Sequence, residues 1–204
     1  MDDSAFEIDI SNRQSSLVFD ENRVQAAVLR ALAIEQVASA VLSISIVDNA
    51  AINVINRDHL QHDYPTDVIS FQLDFVSADE LPSDEDFEED AEDEDEQFSD
   101  DDDPIDEGDD VNSGELLREG RAAGAAIEGE IIASAEMAVS MAADGKWSAE
   151  AELTLYIVHG LLHICGYDDL TPEEKCIMRA RERAILSELG LTAIYAEDSE
   201  EDRH

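Results

Sequence analysis

His159 and His163 stand four residues apart in an almost wholly apolar run that closes with Gly166, Tyr167, Asp168 and Asp169. On a helix that spacing stacks both imidazoles on one face. A helix that is apolar nearly all round is buried, and buried imidazoles need partners for their ring nitrogens. Two arrangements meet that need. One is a hydrogen-bonded pair of core histidines, which an HxxxH spacing alone does not exclude. The other is a divalent cation: the chain reverses at Gly166, so that Asp168 or Asp169 brings a carboxylate back and completes the two-His-one-carboxylate set of an open catalytic site. The glycine stop and the acidic turn favour the cation. Gly160 follows His159, where the H-E-x-x-H metalloproteases carry their glutamate base, so peptide hydrolysis is disfavoured.

The elements around this run set its position. Phe6, Ile8 and Ile10 alternate with polar residues as in a strand with one buried face. Asp20 then caps a helix over 21–36, in which Val24, Val28, Ala31 and Leu32 form the apolar stripe. Period-2 patterns predict strands at 40–47 and 68–75, separated by a helix over 50–61 and an extended approach through Pro65. A further strand covers 126–134, with Gly129 marking a bulge or a close approach. A short helix over 135–143 follows, and Ser148 caps the histidine helix with Glu150 and Glu152 in its first turn. Thr171-Pro172-Glu173-Glu174 is a capping box that opens a last helix reaching Gly190. The expectation is one α+β domain over 1–204, with about four strands and five helices.

Composition bounds the chemistry. The net charge is −40, and residues 79–110 hold 21 acidic residues with no Lys or Arg, about half of that excess. The segment 76–122 has too few large apolar residues to offset its ordering entropy, so it reads as a disordered acidic insertion, and 197–204 as an acidic tail. Such a chain is no general nucleic-acid or DNA binder, because phosphate contacts need clustered Lys and Arg; any RNA chemistry must use a local groove. No run of 18 apolar residues and no leader pattern is present, so the expected location is cytoplasmic, away from membranes. Cys165 and Cys176 form no CxxC pair and read as reduced packing residues.

His159-Gly160-Leu161-Leu162-His163 with Gly166-Tyr167-Asp168-Asp169 resembles the H-G-x-L-H-x-x-G-Y-D-H signature of the YbeY family of bacterial endoribonucleases and rRNA maturation factors. Asn56, His62-Asp63 and Pro65 to Phe71 resemble its second motif, and Gly129-Glu130-Ile131-Ile132 its G-D-I strand. The resemblance implies a small, mostly parallel sheet and a zinc ion in a cleft. It also implies metal-dependent cleavage of single-stranded RNA, with small-subunit ribosomal RNA, the ribosome and its assembly factors as partners in maturation and quality control. It makes His159, His163 and Asp169 the metal ligands.

Two departures stand out. Asp169 occupies the place of a family histidine; a carboxylate there acidifies bound water less and shifts the preference somewhat towards manganese or iron. Leu60 stands where the family carries an arginine, and Arg57, one helical turn earlier, is the candidate to replace it, with an exposed surface charge as the alternative. Arg57 or Lys146 would then steady the pentacoordinate phosphate, and Asp168 would orient a ligating histidine or simply form the turn. His62, Asp63 and Asp67 read as turn formers around Pro65, and Ser70 faces either cleft or solvent. Trp147 reads as a core or rim residue, with base stacking as the sharper alternative. The insertion is a solvated linker or an electrostatic gate over the cleft. The departures keep two other functions open: a ribosome-associated metal-binding assembly factor with little nuclease activity, and a metallohydrolase of a small substrate.

Overall fold

A computed structural model describes residues 5–80, 120–193 and 195. Most of the expected insertion, 81–119, and the whole tail at 197–204 lie outside the described residues. The chain runs β1 (Phe6–Asn12), α1 (Glu21–Ile34), β2 (Ser39–Val47), α2 (Asn49–Ile55), β3 (Val68–Val76), β4 (Ala126–Ser134), α3 (Ala135–Gly145), α4 (Ala149–Ile164) and α5 (Pro172–Glu188). The sheet order is β1-β2-β4-β3. β1 and β2 pair in parallel, as do β2 and β4, while β3 runs antiparallel to β4. Among the described residues this is the expected α+β fold, with a mostly parallel four-stranded sheet and five helices.

Period-2 alternation sends Leu42, Ile44 and Ile46 of β2 and Ile127 and Ile131 of β4 into one large core shared with α1, α4 and α5. The next residues, Val47 and Ile132, point to the other face, where they pack with Ile52 of α2 and Ile69 of β3. The caps read from sequence form: Asp20, Ser134 and Ser148 each accept a backbone N–H, and Thr171 and Glu174 close both arms of the capping box.

α4 is the histidine helix, and nearly all of it is buried. Two glycines let it lie close to the sheet. A Cβ on Gly160 would stand 3.2 Å from side-chain carbons of Ile131 and Val68, and one on Gly129 only 2.6 Å from Ile164. Gly129 is thus a point of close approach; the bulge belongs to β3, between Gln72 and Asp74.

The helix expected over 50–61 is interrupted. After α2 the chain widens into a π turn at Asn56–Leu60, and Gln61 closes it in the left-handed region at φ 61°. The cause is tertiary: the buried Asn56 side chain donates to the Tyr64 carbonyl at 2.7 Å. The wider turn takes residues three apart off a common face. β3 and β4 form a hairpin whose last pair is Val76 with Ala126, and Ala78 and Gly124 nearly touch, so the insertion leaves and re-enters at neighbouring points. Among the described residues no helix is long and apolar enough to cross a membrane. Cys165 is buried as expected, but Cys176 is exposed on α5.

Candidate metal centre

α4 stacks the two imidazoles one turn apart, and Gly166, at φ 88°, reverses the chain behind them. The returning turn is held from several sides. The Arg121 guanidinium donates to the Gly166 carbonyl at 2.8 Å, and the Tyr167 hydroxyl donates to the buried Glu35 at 2.7 Å. Burial raises the Glu35 carboxyl above its ordinary range, although the Tyr167 hydrogen bond and the Arg181 charge both oppose this. The Asp169 N–H is tied to the Asp168 carboxylate at 2.8 Å. Asp169 thereby reaches the histidines: its oxygens lie 3.9 Å from His159 Nε2 and 4.0 Å from His163 Nε2.

The outer nitrogens decide the tautomers. His159 Nδ1 lies 2.6 Å from Glu182 Oε1, and His163 Nδ1 lies 3.0 Å from the Tyr167 carbonyl. Both partners are acceptors, so both Nδ1 atoms carry the proton and both Nε2 atoms present lone pairs. Those lone pairs face each other across 3.1 Å. Two bare lone pairs at that distance repel unless a proton or a metal ion stands between them. An ion bound at about 2.0–2.2 Å to each donor needs donors about 3–4 Å apart, as these are. The donor set therefore fits a divalent cation, with His159, His163 and Asp169 mutually within 4.8 Å.

Glu182 is the strongest electrostatic partner. It is 3% exposed, and its second oxygen accepts the Tyr195 hydroxyl. Burial works against charge on His159, but the Glu182 hydrogen bond and the carboxylates of Glu182, Asp169 and Asp67 outweigh it and raise its pKa. A carboxylate behind a ligating imidazole holds the ring and increases its basicity.

The sequence model described as endoribonuclease YbeY matches residues 9–190. The chain belongs to the YbeY family. It is 30% identical to endoribonuclease YbeY of Rhodopirellula baltica over 97% of this chain and 79% of that protein. The Enterococcus faecalis protein of the same name is 35% identical over 74% of this chain and 75% of its own. The Fusobacterium nucleatum YbeY is 32% identical over 86% and 85%. The solution structure of TM1509 from Thermotoga maritima aligns with 90% of this chain and 91% of its own at 16% identity and a TM-score of 0.47.

In this YbeY family member the other candidates separate by place. Asp168 lies in the groove beside His159, His163 and Asp169, with one oxygen already spent on the Asp169 N–H; the histidines take their orientation from Glu182 and Tyr167 instead. Leu60 reaches the groove, but Arg57 does not line it, and its Nε lies 3.2 Å from Asp58. The π turn accounts for that split. Lys146 is exposed at the left-handed end of α3, and it lines neither cavity that touches His159 and Asp169. Trp147 packs against the core and donates its indole N–H to Glu152, the rim position expected. Ser70 faces the groove. Asp67 does more than shape the Pro65 turn, since it lines the cavities on both sides of His159. Glu182 was not singled out from sequence. Its signal was available, because it falls on the buried stripe of α5 with Met178, Ile185 and Leu186, where an unpaired carboxylate is costly.

Proposed function

We propose that this protein is a metal-dependent endoribonuclease that cuts single-stranded RNA in the cytoplasm, acting in small-subunit rRNA maturation and ribosome quality control, with zinc as its ion. The observation that carries the metal half of this reading is the pair of Nε2 lone pairs facing each other beside Asp169. Membership of the YbeY family, and relatives that bear the name endoribonuclease, support the RNA half.

His159, His163 and Asp169 would hold the ion. When bound, the ion supplies Lewis acidity to a phosphodiester and to the attacking water. The chain does the rest by position. Glu182 and the Tyr167 carbonyl keep both Nδ1 protons in place, so each ring offers Nε2 without having to rotate. Gly160 and Gly129 seat the helix against the sheet and fix the site relative to Ser70. The Gln72 amide is committed to the Ile164 carbonyl at 2.9 Å, which ties β3 to the end of α4 and leaves Ser70 as the groove's hydroxyl. The preorganisation is in the donors.

One observation favours the second reading, a ribosome-associated metal-binding factor with little nuclease activity. Among the described residues, the groove containing Leu60, Ser70 and Asp168 has no Lys or Arg in its lining, so none of them replaces the missing arginine. Cleavage of a labelled single-stranded RNA and of its duplex by zinc-loaded wild type and Asp169→Ala tests the proposal. Wild type should cut the single strand in preference, and the variant should lose at least about a hundredfold in rate. Equal zinc content without cleavage by the wild type would hand the case to the assembly-factor reading.

A further inference from the structure

The ligand set is a wall between two cavities. The groove of Leu60, Ser70, Gln72, His163 and Asp168, about 530 Å³, lies on one side. On the other side lies a cavity of about 480 Å³ built over Met137, Met141, Leu155, Tyr156 and Met178. His159, Asp169 and Asp67 line both. Both volumes fall in the range of sites that enclose a small organic ligand, about 300–1,000 Å³.

A phosphodiester carries one nucleoside on each side. A strand whose scissile phosphate rests on the wall must lay its two flanking nucleosides on opposite sides of it. Both sides carry hydroxyls and carboxylates, and what sets the second apart is its floor of three methionines with Leu155 and Tyr156. We propose that the methionine-floored cavity is the subsite for one of the two nucleosides that flank the scissile phosphate, holding its base by face contact. This rests on the endoribonuclease reading above.

Three of the chain's four methionines converge on this one cavity, Met137 and Met141 from α3 and Met178 from α5. Met141 is 42% exposed while Met178 at the floor is 1% exposed, so the group forms a graded slot from mouth to base. Thioethers are polarisable, favour contact with ring systems and re-pack around different shapes, which suits a base of any identity. Lys175 and Arg179 line the same cavity, and the Arg179 guanidinium stacks on the Tyr195 ring at 4.7 Å. A floor that meets the face of a base and not its edges reads no sequence, so the subsite is base-tolerant.

The methionines also supply the test. In the full zinc-loaded chain carrying ¹³C-methyl methionine, titration with adenosine 5′-monophosphate is expected to shift the methyl signals of Met137, Met141 and Met178 by ring current and to leave Met1 in place. Uridine 5′-monophosphate should move the same three. Inorganic phosphate should move none of them, and a phosphate titration that reproduces the shifts overturns the proposal. Met141→Ala should raise the KM for single-stranded RNA about tenfold with kcat little changed, the size of one lost stacking contact. If the protein cuts single-stranded RNA while all three signals stay still, the subsite is wrong and the nuclease reading stands. If the protein cuts no RNA, that reading falls and takes the subsite with it.

Discussion

Glu182 sets where the proton on His159 sits, and the lone pair left at Nε2 is the one the proposed metal centre uses. Glu182→Gln keeps the shape and removes the charge, so zinc affinity at pH 8 should fall about 10- to 100-fold in a competition with a chromogenic chelator. The pH dependence adds a sign. Zinc and a proton compete for Nε2, and His159's raised pKa means that the proton starts to win above the ordinary histidine range, near 6.5. Wild-type affinity should therefore decline from a higher pH than an unperturbed histidine would dictate. In Glu182→Gln the main raising cause is gone, so the decline should move to lower pH even though the affinity is weaker; a decline at the same pH in both proteins would refute this role for Glu182. At this scale the sequence was informative where spacing alone fixes geometry, as for His159, His163 and the turn to Asp169. Glu182 lies 23 positions away on another helix, and only packing brings it to the ring.

The elements carry a different kind of constraint, which is close approach. Gly160 lies where α4 meets β3 and β4, and a methyl group there would stand 3.2 Å from Ile131 and Val68. Gly160→Ala should destabilise the fold by about 1–3 kcal/mol in chemical denaturation and lift His159 away from Asp169. No loss of stability would mean that the helix has slack, and the site's rigidity would need another source. The same contact explains why a glutamate base after His159 has no place in this chain: that position faces the sheet. The strands and the caps of α1, α4 and α5 were legible in the sequence because alternation, Asp20, Ser148 and the Thr171 capping box act locally. The π turn was not, since its cause is a bond from Asn56 to Tyr64 eight residues on. That missed turn is what separates Leu60 from Arg57.

Across the whole molecule, the proposed endoribonuclease activity requires a protein of net charge −40 to bring a polyanion to one groove. Residues 79–110 contribute 21 acidic groups, and the described ends of this insertion meet at the β3–β4 hairpin, so it can be excised there without parting the strands. Removing 79–110 should raise affinity for single-stranded RNA at low salt, and the difference should vanish as screening shortens to about 3 Å near 1 M. Unchanged affinity at low salt would make the segment a linker and nothing more. Strand order and the antiparallel β3 were beyond the sequence, because pairing partners are set by long-range packing; the fold class was within reach because alternation and helical stripes survive on both sides of the acidic run. All of these effects converge on the proposed cation site of His159, His163 and Asp169. The most direct test measures zinc content and single-stranded RNA cleavage on the same samples of wild type and His163→Ala. The wild type should carry one zinc per chain and cut the RNA, and the variant should lose both together; a variant that still cuts at the wild-type rate without zinc would contradict the metal centre.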